Sequence, residues 1–354
     1  MRIAGAWSWR ILAIVGVITV FVFLVMQLRL IVIPFLVAIL LGALLVPLVD
    51  FLHRHRWPRW LAVATAEVGL IAGVGALIYL IVTQIVAGFP DLQERTVTAV
   101  DSFKAYLLAS PLHLTEAQLS DYLNQLGTAI QQDSQMWISG ALSVGSSFGH
   151  ILTGALLALF ATLFILIDGR RIWSWFVGLF PRKARAPIDG AGRAGWVTLT
   201  TFVRVQIFVA LIDAIGIGIG AVVLQVPLAI PIGIAVFLGS FIPVVGAIVT
   251  GLLAAFVALV YNGPVAALVM IGVVLLVQQL EGHVLQPLVM GTAVKVHPLA
   301  VVFAVATGGF IAGIPGALFA VPLVAVINVM VAYIARGSWR TNPDPSPEDV
   351  ASHA

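Results

Sequence analysis

The chain contains no cysteine, and its lysine, arginine, aspartate and glutamate together make only 9% of 354 residues. Without cysteine there is no thiol chemistry, and nothing reports on redox compartment. The phosphate-cradling GxxxxGK[ST] loop is missing, so ATP is not a direct driver. HExxH and CxxC are missing too, as are the paired aspartates within apolar runs that one class of intramembrane protease would need. His283 and His297 have no third ligand at metal spacing, so no metal and no cofactor is expected. These gaps leave little room for an enzyme.

What remains is apolar. Hydrophobic residues make 61% of the chain and the mean hydropathy is +1.11, more than a water-soluble domain of this size can bury. Runs of about 20 apolar residues match the thickness of a bilayer core. The expected full spans are 11–28, 31–49, 62–87, 149–167, 201–225 and 264–280. The first leads straight into the second and is not read as a cleaved signal peptide. The chain is basic, with net charge +3 and pI near 9.5, but its basic residues follow topology rather than a nucleic-acid surface. With both termini in the cytoplasm of a bacterial inner membrane, only Arg29, Arg95 and Lys104 of the 18 basic residues fall outside. That is a strong positive-inside bias. Tryptophans such as Trp7, Trp57, Trp173 and Trp339 flank the spans, as interfacial rings do. Glu67, close to the cytoplasmic end of its span, reads as an interface residue.

Five regions follow. Residues 1–89 hold three spans, and 90–147 form an acidic extracytoplasmic insertion. Its Leu119, Tyr122, Leu123, Leu126 and Ile130 make one helical stripe. Residues 148–200 hold the fourth span and a basic loop, 201–335 the transport core, and 336–354 a proline-rich tail expected to be disordered.

Within the core one pattern occurs twice. Residues 227–247 read PLAIPIGIAVFLGSFIPVVGA, and 298–317 read PLAVVFAVATGGFIAGIPGA. Each opens Pro-Leu-Ala, breaks at Phe-Ile with glycine and proline, and re-enters an apolar arm. An arm of 14 residues such as 228–241 is about 21 Å long as a helix, short of a core about 30 Å thick. Pro243 and Gly246 end the first arm; Gly308, Gly309, Gly313, Pro315 and Gly316 end the second. The expected architecture is an all-α polytopic membrane protein: about six full spans plus two broken, re-entrant hairpins of opposite orientation, their tips converging near mid-membrane. Two ordinary kinked spans are the alternative.

The polar residues inside the apolar runs are the candidates for a substrate or ion pathway, since such groups are costly there. Gln278 and Glu281 share a helix face, with Gln279 beside them and Gln286 and Pro287 marking a turn. Asp213 lies mid-span, with Gly216 and Gly220 on its face offering a close helix approach. Arg204 or Gln206 of a neighbour is its candidate coupling or helix-contact partner, Arg204 of the same helix being on the opposite face.

The runs RVQIFVALIDAIGIGIG, FIPVVGAIVTGLLAAFVAL, QQLEGHVLQPLVMGTAVKVHPLAVV and GIPGALFAVPLVAVI resemble the autoinducer-2 exporter (AI-2E) family of bacterial inner membranes. The resemblance covers nearly the whole chain outside the insertion and tail. It implies a carrier exporting a small polar molecule such as autoinducer-2, by an elevator-like or other alternating-access movement; Glu281 or Asp213 is the candidate carrier of a coupling proton. It implies a homo-oligomer, with a pentamer as its expected size. Some relatives are described as sodium or proton antiporters, so that activity stays open, as does an oligomeric channel. The partners expected are the lipid bilayer, the solute, the coupling ion and further copies of the chain.

Overall fold

A chain this apolar must satisfy its backbone polar groups internally wherever it meets lipid, and helices do so within one segment. The computed structural model describes residues 2–109, 149, 152–243, 245–283, 298–346 and 349, and every regular element among them is helical. In chain order the helices are α1 (Arg2–Gln27), α2 (Arg29–Arg54), α3 (Arg59–Ala109), α4 (Leu152–Gly178), α5 (Arg182–Val223), α6 (Ala229–Gly239), α7 (Val245–Leu280) and α8 (Pro298–Ala335). Six of them are long and apolar enough to cross a membrane: α2, the Arg59–Gln84 part of α3, α4, α5, α7 and α8. The protein is an all-α polytopic membrane protein. Five expected spans fall on α2, α3, α4, α5 and α7, with 149–167 starting before α4 and 201–225 running two residues past α5. The sixth, 11–28, falls on α1, whose apolar stretch is Val15–Gln27. Only Leu28 separates α1 from α2, with helical bonds on both sides of it (Leu28 to the Leu24 carbonyl, Val32 to the Leu28 carbonyl).

Two of the long helices are not single rods. In α7, Gly263 sits at φ 84°, ψ −177°, a conformation open essentially to glycine alone. A Cβ on Gly251 would lie 2.9 Å from a Val274 methyl. Residues 23 apart in sequence meet only if the helix folds back, so α7 is an antiparallel pair, 245–262 and 264–280. Pro264 opens the second arm, where its missing N–H costs nothing. In α8 the break is at Ala312–Gly313, with Gly313 at φ 65°, ψ −146°.

The chain divides into two compact units. The first comprises Met1–Gly69, Thr153–Arg204 and Met290–Ala354. In it α2 packs on α4: a Cβ on Gly42 would sit 3.1 Å from Ile165. Arg59 donates twice to the Leu166 carbonyl, at 3.2 and 2.9 Å. The start of α5 lies against the end of α8, with Gly195 facing Val326 and Met330. The tail departs from expectation. Residues 336–346 are folded rather than disordered: Ser338–Arg340 form a 3₁₀ turn, and Trp339 packs on Ala191, Ala194, Val329 and Tyr333. The Tyr333 hydroxyl donates to the Asn342 carbonyl, and Arg193 pairs with Asp344 at 3.1 Å.

The second unit comprises Leu70–Leu152 and Val205–Val289. Its core joins α5, α6 and both arms of α7 through Ile217, Ala221, Ile232, Val236, Ala254, Val257, Met270 and Val277. The α3 helix has 51 residues, about 77 Å at 1.5 Å each. It runs unbroken through position 90, so the insertion begins as a prolongation of a span rather than at a boundary. The 119–130 stripe lies outside the described residues.

Candidate functional site

The second unit gathers Gln206, Asp213, Pro243 and Gly246 around one short helix, with Gln278, Gln279 and Glu281 beside them. α6 has 11 residues, about 16 Å of helix, too short to cross. Its start lies against the prolonged α3, where a Cβ on Gly88 would be 2.7 Å from Leu228. The first arm of α7 returns to the same end. There Asn262 Nδ2 donates to the Leu224 carbonyl at the close of α5, at 2.8 Å, and the Arg95 guanidinium lies 5.1 Å from the Tyr261 ring centroid. The hairpin therefore opens and closes at the C-terminal end of α5.

Two glycines make the turn-back possible. A Cβ on Gly246 would lie 1.8 Å from the Gly239 carbonyl oxygen, so the two arms touch backbone to backbone. Between them run Ser240, Phe241, Ile242 and Pro243, all half-buried.

This tip meets α5 at a polar cluster. Gln206 Nε2 donates to the Ser240 carbonyl at 2.7 Å. The Ser240 hydroxyl lies 2.8 Å from the Val236 carbonyl and 3.2 Å from Asp213 Oδ2, to which it donates. Asp213 is 2% exposed, and its Oδ1 has no hydrogen-bond partner. Gln206 and Asp213 lie two turns apart on one face of α5, with Ser240 between them. Asp213 precedes Leu224 by 11 residues, about 16 Å along α5, which matches the length of α6. The contact is thus about half a bilayer core below the open end of the hairpin. Arg204 is exposed.

The second arm of α7 packs on the same stretch of α5. A Cβ on Gly216 would be 2.9 Å from Val277, and one on Gly220 would be 2.5 Å from Val273. These are the close approaches that the Gly-xxx-Gly spacing predicts. Continuing that antiparallel register by one turn carries Glu281 to the level of Ile212 and Asp213. Gln278 and Glu281 are half-buried on this arm and Gln279 is exposed. Gln286 and Pro287 lie outside the described residues.

The remaining candidates belong to the first unit and form a tip of their own. A Cβ on Gly308 would be 2.3 Å from the Gly316 carbonyl oxygen, and one on Gly316 would be 1.9 Å from the Gly308 oxygen. Residues eight apart touch only across a reversal, so α8 is a hairpin with arms 298–311 and 314–335. Gly309 and Pro315 flank its turn, where Phe310 is 94% exposed. Among the described residues no group of three or more His, Cys, Asp or Glu is placed to hold a metal.

Sequence reasoning missed Ser240 altogether. Its signal is a lone hydroxyl at the break of an apolar repeat. Glu67, expected near the cytoplasmic interface, is 8% exposed, with Oε1 unpartnered. Gly145–Gly149 carries the GxSxG spacing of a serine nucleophile. That motif works on a strand-to-helix turn; apart from Gly149 the run lies outside the described residues.

The profile of the AI-2E family transporter matches residues 11–336. Similar proteins cover almost the whole chain. The candidate transport protein MT0215 of Mycobacterium tuberculosis (strain CDC 1551 / Oshkosh) is 40% identical over 99% of this chain and 95% of its own length. The candidate transport protein YrrI of Bacillus subtilis (strain 168) is 26% identical over 93% and 96%. The AI-2 transport protein TqsA of Escherichia coli (strain K12) is 22% identical over 87% of each.

Proposed function

The chain belongs to the AI-2E family of transporters, and on that premise we propose that it is a secondary carrier for a small polar solute. Asp213 takes up the coupling ion beside the tip of the α6–α7 hairpin. One observation carries this reading: a carboxylate buried mid-helix has one oxygen held by Ser240 and the other unpartnered. A charge left so within apolar surroundings is costly; a proton or a small cation removes the cost. The hairpin tip offers its backbone, the Ser240 hydroxyl and the Gln206 amide to a hydroxylated solute. Uptake of the ion neutralises Asp213 and frees the tip to shift, which is the coupling an alternating-access carrier requires.

Autoinducer-2 is the first cargo to test, because one relative is named for it. The direction is outward across a bacterial inner membrane, with both termini inside and the chain working as a homo-oligomer. Na⁺/H⁺ exchange is the second reading. It is favoured by the register that brings Glu281 to the level of Asp213, since two carboxylates suit a cation better than one.

The test is reconstitution into liposomes with an imposed pH gradient. Proton-driven autoinducer-2 flux should fall at least tenfold in Asp213→Asn, while exchange of solute down its own gradient persists. Flux of autoinducer-2, Na⁺ and H⁺ that is identical in wild type and Asp213→Asn would sink the role given to Asp213. Sodium-proton exchange without autoinducer-2 flux would select the second reading.

A further inference from the structure

The molecule has a second deeply buried carboxylate, in its other unit. Glu67 follows the fully buried Ala62, Val63 and Ala66 on α3, is itself 8% exposed, and leaves Oε1 without a partner. It lines a cavity of about 500 Å³ whose other walls come from α4: Thr153, Leu156, Leu157, Phe160 and Leu163 among them. The walls open outward, since Leu156 and Phe160 are 59% and 64% exposed. In a chain that spans the bilayer these faces are reached from lipid.

Among the described residues no cation pairs with Glu67 there. The nearest basic side chain on its own helix, Arg59, is taken up by the Leu166 carbonyl. α4 carries no ionisable residue from Leu152 to Ile167, and α2 carries none between Arg29 and Asp50. A carboxylate held in apolar surroundings is either protonated or matched by a cation. Here the match has to come from outside, with an apolar body to fill the leucine-lined space. Phe160, tilted against Phe164 with centroids 4.8 Å apart, adds an aromatic face that favours positive charge.

We infer that the Glu67 groove binds a lipophilic monocation, such as a protonated alkylamine, which enters from the bilayer and exchanges with a proton on the Glu67 carboxyl. The site is separate from the Asp213 cluster and stands whether or not Asp213 couples transport.

The probe is tetraphenylphosphonium, with the neutral triphenylphosphine oxide as its control, on the full-length protein in detergent. Wild type should bind the cation, less well as the medium is acidified, because protons compete for the same oxygen. Glu67→Gln should weaken it at least tenfold and Glu67→Asp less. Equal binding by wild type and Glu67→Gln overturns the inference, and so does equal binding of the neutral control. Loss of binding in Asp213→Asn but not in Glu67→Gln overturns it too.

A second measurement does not depend on the variants folding. Dicyclohexylcarbodiimide adds to a protonated carboxyl in apolar surroundings. The acid O–H adds across one C=N bond, and an O-to-N acyl shift leaves a stable N-acylurea with no leaving group. Peptide mass mapping should find Glu67 modified, and tetraphenylphosphonium should slow that modification. Modification that the cation leaves unchanged overturns the inference.

Discussion

Ser240 holds one oxygen of Asp213 and receives Gln206 on its own carbonyl. It is the residue through which α5 feels the hairpin tip. Ser240→Ala removes the hydroxyl but not the carbonyl, so the Gln206 bond survives. Asp213 then has no donor. The pH dependence of proton-driven flux should shift in this variant, with solute affinity changed less than fivefold. An unchanged pH profile would show that Ser240 does not act on Asp213. Asp213 was legible in the sequence because a carboxylate stands out inside an apolar run. Ser240 was not, because a serine between glycine and phenylalanine is ordinary turn chemistry until its partner is seen. The burial of Glu67 was not legible, because counting residues from a span end gives depth along the helix and says nothing of which face is covered.

At the scale of elements, both hairpins rest on a pair of glycines whose backbones touch. Gly246→Ala would place a methyl 1.8 Å from a carbonyl oxygen that no rotamer can move, so the arms must part. Its melting temperature in detergent should drop by several degrees or more, with flux lost. Gly272→Ala, where a Cβ meets nothing within 4 Å, should leave the melting temperature unchanged. Equal behaviour of the two would remove the crossing as the hairpin's support. The breaks were readable beforehand, because glycine and proline interrupt apolar runs for a local steric reason. The first arm is shorter in the structure than its 14-residue estimate, since the turn begins at Ser240 rather than at Pro243. The length of α3 was hidden: the rise in polar residues after position 90 marks departure from the membrane, and a helix can leave the membrane without ending.

For the whole molecule, the fold of the tail follows from one aromatic side chain more than from its charges. Arg193 and Asp344 are 47% and 80% exposed as a pair, and such surface pairs contribute about 0–1 kcal/mol. Asp344→Ala should therefore leave the melting temperature nearly unchanged. Trp339→Ala uncovers Ala191, Ala194 and Tyr333 and should release residues 336–346 to protease; if both variants resist cleavage alike, the tail is held by something else. Composition concealed this, since the prolines and acids that suggest disorder lie beyond the tryptophan that anchors the turn. The absence of cysteine also makes topology accessible, because single cysteines need no prior removal of others. Asn262→Cys should react with a membrane-impermeant maleimide from the same side as a cysteine at Arg95, and labelling of the two from opposite sides would contradict the re-entrant hairpin.

The seam between α5 and the second arm of α7 has a mechanical consequence. Val273 and Val277 sit in the notches of Gly220 and Gly216, and knobs and notches repeat at the same four-residue step. A slip of one turn, about 5.4 Å, would lift one valine out of its seat and set the other into the neighbouring notch. Any displacement along the seam would be stepped, as on a detent, with seats one helical turn apart.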